Sequence, residues 1–102
     1  MVAIAGGPDI RCAPYATYGT QELADHAVGA MKGRGACLLA NHGMIAGGGS
    51  LAQALALAVE VESLAEMYWR ARQLGDPALL SDAEMDEVLA RFKSYGQQPR
   101  RR

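Results

Sequence analysis

Apolar residues recur along this chain with changing periods, and the changes divide it into elements. The first 19 residues begin with an apolar run to Ala5, pass through Gly6-Gly7-Pro8-Asp9, and continue to Gly19 with a second proline, Pro14. Proline donates no ladder hydrogen bond and turns its predecessor away from helix, so this stretch predicts an opening strand followed by an extended segment. From Thr20 the spacing becomes helical: Leu23, Ala24, Ala27, Val28 and Met31 recur with Glu22 in the first turn, predicting a helix over 21–32 capped by Thr20. Gly33 and Gly35 close it. Residues 36–40 are apolar without alternation, which suits a strand covered on both faces. Asn41-His42-Gly43 then forms a polar corner before the short apolar run 44–46. Gly43 permits a positive φ there. After three glycines, Ser50 and Gln53 form a capping-box pattern that opens a helix to about Leu74. Leu51, Leu55, Ala58, Val59, Glu62, Ala65, Glu66 and Trp69 fall at helical spacing along it, and Gly75-Asp76-Pro77 ends it. A last helix is predicted over 82–94, capped by Ser81 and Glu84, with Met85, Val88, Leu89 and Phe92 as its apolar stripe and Tyr95-Gly96 as its end.

Composition narrows the class. The chain has 102 residues, half of them hydrophobic, with a net charge of -1, which fits one soluble domain. Alanine is abundant, there are 12 glycines, and Phe and Trp occur once each, so the core is thin in volume and its stability should lean on another polypeptide surface. No run is long enough to span a membrane and no signal-peptide pattern opens the chain, so a cytoplasmic protein without membrane contact is expected. Arg100, Arg101 and Arg102 form a basic tail over 97–102 on a mildly acidic body; without interleaved aromatics this reads as a solvated end, not as a nucleic-acid site. Cys12 and Cys37 lack a zinc-ribbon or disulfide pattern and read as two buried thiols.

Candidate chemistry centres on one histidine. His26, beside Asp25 on the first helix, reads as an exposed helical residue on a different surface from His42. His42, between two apolar runs, is either a buried imidazole satisfied by backbone or a metal ligand or general base at a strand end. A catalytic zinc normally takes three protein ligands and leaves one position open, which this chain cannot readily supply. Gly47-Gly48-Gly49-Ser50 reads as a flexible turn, since it lacks the lysine of a phosphate-binding loop. Glu60, Glu62 and Glu66 read as a solvated helix face. Tyr15, Tyr18 and Tyr95 are phenols in loops or at an element end.

The run Cys12-Ala13-Pro14-Tyr15-Ala16-Thr17-Tyr18-Gly19-Thr20, the segment Leu38-Leu39-Ala40-Asn41-His42-Gly43-Met44-Ile45, residues 54–68, and Leu80-Ser81-Asp82 with Phe92-Lys93-Ser94-Tyr95-Gly96 together resemble the C-terminal half of the class II aldolase and adducin family. Within that family the stretch resembles the fuculose-phosphate aldolase branch more than the ribulose-phosphate epimerase branch, which shares the His-Gly corner. The likeness covers residues 2–96 in unbroken order. It implies an α/β fold, part of a three-layer α/β/α sandwich with a mostly antiparallel central sheet, of which residues 1–96 are the C-terminal half. It also implies zinc-dependent retro-aldol cleavage of a sugar phosphate to dihydroxyacetone phosphate and an aldehyde. On the same resemblance His42 matches a zinc ligand, Tyr95 a catalytic tyrosine reaching a neighbouring subunit, and Tyr18 an aromatic near that intersubunit, substrate-binding pocket. A homo-oligomer, a tetramer in the family, follows. The family's His-x-His pair, its ligand glutamate and its phosphate-binding loops have no counterpart here, so the chain alone is expected to be inactive and to bind zinc weakly. A non-enzymatic, adducin-like assembly module and a decayed fragment are the competing expectations.

Overall fold

The computed structural model describes residues 1–94. A short 3-10 helix, Val2–Ala5, opens the chain, followed by β1 (Cys12–Ala13), α1 (Gln21–Ala30), β2 (Ala36–Leu39), β3 (Gly43–Ala46), α2 (Leu51–Leu74) and α3 (Asp82–Phe92). The expected opening strand is therefore a helical turn. Its alanines have little preference for a sheet, the Ile4 N–H donates to the Met1 carbonyl at 3.1 Å, and Gly6 stops the turn in the left-handed region at φ 95. Ala3 and Ala5 are buried, and the turn packs against both α2 and α3.

The three strands form one sheet in the order β1-β2-β3. β1 runs parallel to β2, with Cys12 opposite Leu38 and Ala13 opposite Leu39. β3 runs antiparallel to β2, with Leu39 opposite Gly43 and Ala36 opposite Ala46. The sheet is mixed, which corrects the expectation of a mostly antiparallel one. The connections explain it: α1 carries the chain from β1 back to the start of β2, as a parallel pair requires, whereas residues 40–42 alone join β2 to β3 and a turn that tight returns antiparallel.

Alternation along β2 feeds two apolar clusters. Ala36 and Leu38 join Ala5, Ile10, Met44, Ala46 and the α2 residues Leu57 and Val61. Cys37 and Leu39 join Ala13, Ala30 and Met31 at the end of α1. Ala36, Cys37 and Ala13 are fully buried, as a strand covered on both faces demands. Gly35 sits so close to α2 that a Cβ there would lie 2.9 Å from a Leu57 methyl.

The helix starts follow the sequence pattern with one change. Ser81 accepts from the Glu84 N–H while the Glu84 carboxylate accepts from the Ser81 N–H, a complete capping box. At α2, Ser50 accepts from the Gln53 N–H at 3.1 Å, but the Gln53 side chain reaches one residue further back and accepts from the Gly49 N–H at 2.9 Å. The stripe of Leu51, Leu55 and Val59 is exposed, at 91%, 66% and 56%; α2 instead turns Leu57 and Val61 to the sheet. No helix among the described residues is long and apolar enough to cross a membrane.

Candidate functional site

His42 stands in the turn between β2 and β3. That turn closes because its three residues reverse the chain within hydrogen-bonding distance: the His42 N–H donates to the Leu39 carbonyl at 3.0 Å. Asn41 adopts the left-handed region at φ 66 and Gly43 follows at φ 148, conformations that asparagine tolerates and glycine accepts freely. The side chain of His42 is thereby lifted from the strand end toward the segment that follows β1.

That segment arrives by the β1 register. The Leu38 N–H donates to the Arg11 carbonyl at 2.8 Å and the Ala40 N–H to the Ala13 carbonyl at 3.1 Å, so residues 14–16 emerge beside the turn. There His42 Nε2 lies 2.8 Å from the Ala16 carbonyl oxygen. A carbonyl only accepts, so Nε2 carries the proton and the lone pair of the neutral ring sits on Nδ1. Nδ1 has no hydrogen-bond partner among the described residues. The Tyr15 ring stacks on the imidazole with centroids 5.5 Å apart and planes 13° from parallel.

His42 is exposed at this corner rather than buried, so its backbone bond does not exhaust it. A ligating histidine commonly donates its second ring N–H to a backbone carbonyl, which fixes tautomer and orientation. The arrangement of Ala16, His42 and the bare Nδ1 fits a metal donor of that kind. It is one donor: no group of three or more His, Cys, Asp or Glu able to hold a metal occurs among the described residues.

His26 departs from its expected exposure and isolation. Its side chain is 29% exposed, and its Nδ1 lies 3.1 Å from the Pro14 carbonyl. The two histidines therefore hold carbonyls two residues apart in one loop. Periodicity does not reveal this, because α1 meets the segment 14–16 only after the parallel crossover forms. Cys12 is exposed and Cys37 buried, which corrects the expectation of two buried thiols; burial pushes the Cys37 thiol pKa up. Tyr18 is 81% exposed and makes no hydrogen bond among the described residues. Tyr95 and the basic tail lie outside the described residues. Glu66 pairs with Arg70 on the open face of α2 at 2.6 Å, as a solvated face would. Tyr15, an ordinary loop phenol by sequence, is the residue that sequence reasoning missed at this site.

Residues 1–69 match the model of the Class II Aldolase and Adducin N-terminal domain. A 5-methylthioribulose-1-phosphate/5-deoxyribulose-1-phosphate aldolase of Rhodospirillum rubrum is 60% identical over 96 residues, covering 94% of this chain and 43% of that protein. The L-fuculose phosphate aldolase of Escherichia coli K12 is 52% identical over 97 residues, covering 94% of this chain and 45% of that protein. A solved L-fuculose 1-phosphate aldolase superposes with a TM-score of 0.84 at 49% identity, covering 90% of this chain and 43% of that one. The chain thus spans less than half the length of the relatives it matches.

Proposed function

The chain belongs to the class II aldolase and adducin family, and from that membership we propose that it carries the part of a metal-dependent aldolase that supplies His42 to the metal and Tyr18 and Tyr95 to the substrate. The carrying observation is the His42 corner: an exposed imidazole whose Nε2 proton is committed to the Ala16 carbonyl, leaving Nδ1 as the donor. The relatives are named for ketose 1-phosphates, so the substrate class proposed is a ketose 1-phosphate of the fuculose, deoxyribulose or methylthioribulose kind. Retro-aldol cleavage to dihydroxyacetone phosphate and an aldehyde leaves three carbons with the phosphate, which puts the broken bond between C3 and C4.

A divalent metal, zinc by family resemblance, would polarise the ketose carbonyl and stabilise the negative charge that develops as that bond breaks. His42 holds its ring through Ala16 and offers Nδ1. Tyr18, exposed and without a hydrogen-bond partner among the described residues, suits a side chain that completes a pocket on a second subunit. Tyr95 supplies a phenol able to give or take a proton. On this reading the remaining donors come from sequence beyond these 102 residues, and the protein works in the cytoplasm as a homo-oligomer, a tetramer by family resemblance. The three-layer α/β/α arrangement belongs to the same proposal; it is supported by α1 and α2 packing against separate clusters of β2.

The test is complementation. The chain is mixed with a polypeptide covering the first half of a relative, in the presence of zinc, and release of dihydroxyacetone phosphate from a ketose 1-phosphate is followed. Cleavage is expected for the mixture, not for either part, and is expected to disappear with His42→Ala. Stable association with bound zinc and no cleavage would overturn the proposal.

A further inference from the structure

Two groups constrain the His42 ring, and they constrain different things. The Ala16 carbonyl fixes which nitrogen bears the proton, through a single 2.8 Å contact about which the ring can still rock. Tyr15 fixes the plane: its ring lies within 13° of parallel to the imidazole at a centroid distance of 5.5 Å, an offset stack. Tyr15 and Ala16 are consecutive, so one short segment supplies both constraints. The segment is itself held on two sides, by the β1–β2 register below it and by His26 Nδ1 at the Pro14 carbonyl. Tyr15 is 57% exposed and makes no hydrogen bond to another described residue, so its packing there is not explained by core filling or by a need to satisfy its hydroxyl.

We propose that Tyr15 is a positioning residue for His42, holding the imidazole plane by ring stacking so that Nδ1 keeps a fixed direction for a metal. The proposal rests on the reading of His42 as a metal ligand given above. The ring face does the positioning and the hydroxyl does not, so Tyr15→Phe should behave as the parent chain does while Tyr15→Leu, apolar but without a planar face, should not. Losing an outer constraint on a ligating histidine costs about 10–100-fold in metal affinity; about tenfold is expected here, because the Ala16 bond remains available.

The experiment uses the chain labelled with nitrogen-15, at a pH above the ordinary imidazole range of about 6.5, with zinc chloride alone as the probe. Two signals are followed: the His42 Nε2–H proton, which is visible only while it is held in a hydrogen bond, and the zinc-dependent displacement of the His42 ring nitrogens. The parent and Tyr15→Phe are expected to show the N–H signal and equal zinc response. Tyr15→Leu is expected to lose the N–H signal and to need about tenfold more zinc, with the backbone amide spectrum of α2 and β2 unchanged to show that it folds. A Tyr15→Leu chain that keeps both signals overturns the positioning role, as does a Tyr15→Phe chain that loses them. His42→Ala serves as the separate control on the ligand reading: if it binds zinc as the parent does, that reading fails, while the N–H signal still reports whether Tyr15 holds the ring.

Discussion

Arg34 and Asp9 are joined across 25 residues, with Arg34 Nη2 2.8 Å from Asp9 Oδ1 and Arg34 Nε 2.8 Å from the Asp9 carbonyl. The Arg34 side chain is only 10% exposed, and its guanidinium lies where a Cβ on Gly7 would fall. The pair ties the segment after the opening 3-10 helix to the loop before β2. Arg34→Ala removes several charge-assisted bonds at once and should lower stability by about 1–3 kcal/mol. Arg34→Lys should recover only part of this, since an ammonium cannot reproduce the planar fork. Urea denaturation midpoints of the two variants check the order.

The starts of α3 and α2 are capped differently, and their substitutions should differ as well. Ser81→Ala removes one of two reciprocal bonds at the start of α3 and should cost about 1 kcal/mol, with a matching loss from Glu84→Ala. At α2, Gln53→Ala should leave the Ser50 cap intact and cost less, because Gln53 bonds Gly49 rather than the capping residue. Thermal melts followed by helical circular dichroism measure each.

Asn41 should accept glycine and resist branching. Its φ of 66 suits Asn41→Gly, whereas Asn41→Val forces a branched residue into the left-handed region at a cost of about 1–2 kcal/mol. The Val variant should also displace His42, seen as a changed environment of its ring protons.

His26→Ala should loosen the loop that carries Tyr15. One bond to a carbonyl contributes about 0.5–1.5 kcal/mol, so a modest stability loss is expected, accompanied by a weaker zinc response at His42 although the substituted residue is on α1. An unchanged response would show that the β1 register alone holds the loop.

The two thiols should separate in reactivity. Burial disfavours the Cys37 thiolate and raises its pKa, so at any pH through the ordinary thiol range Cys37 has less of the reactive form, and it is shielded as well. Iodoacetamide should modify Cys12 first, with Cys37 labelled only after denaturant is added, as peptide mass mapping will show.

Helix starts were legible because their information is local. Thr20, Ser50 and Ser81 each accept from the backbone N–H three residues on, and no distant residue is needed to choose them. The apolar block 36–39 was legible as a doubly covered strand for a similar reason: it has no polar position to turn outward. The buried side of α2 was not legible. Apolar residues lie on every side of that helix, so periodicity selects no face, and Leu57 and Val61 are chosen by where the sheet and the opening turn stand. The opening residues misled because an apolar run of that length fits a strand or a helical turn equally well until its neighbours decide.

At the candidate site the sequence by itself determined the identity of the imidazole, the asparagine and glycine that let the chain turn around it, and a motif order specific enough to point to the family. These are properties of residues next to one another. Tertiary structure alone decided that residues 14–16 lie beside His42, because a parallel β1–β2 pair, reached through α1, carries that segment there. The proton on Nε2, the stack of Tyr15 and the grip of His26 on Pro14 all follow from this pairing. Each depends on contacts between residues 12–27 apart in the chain, which no local pattern encodes.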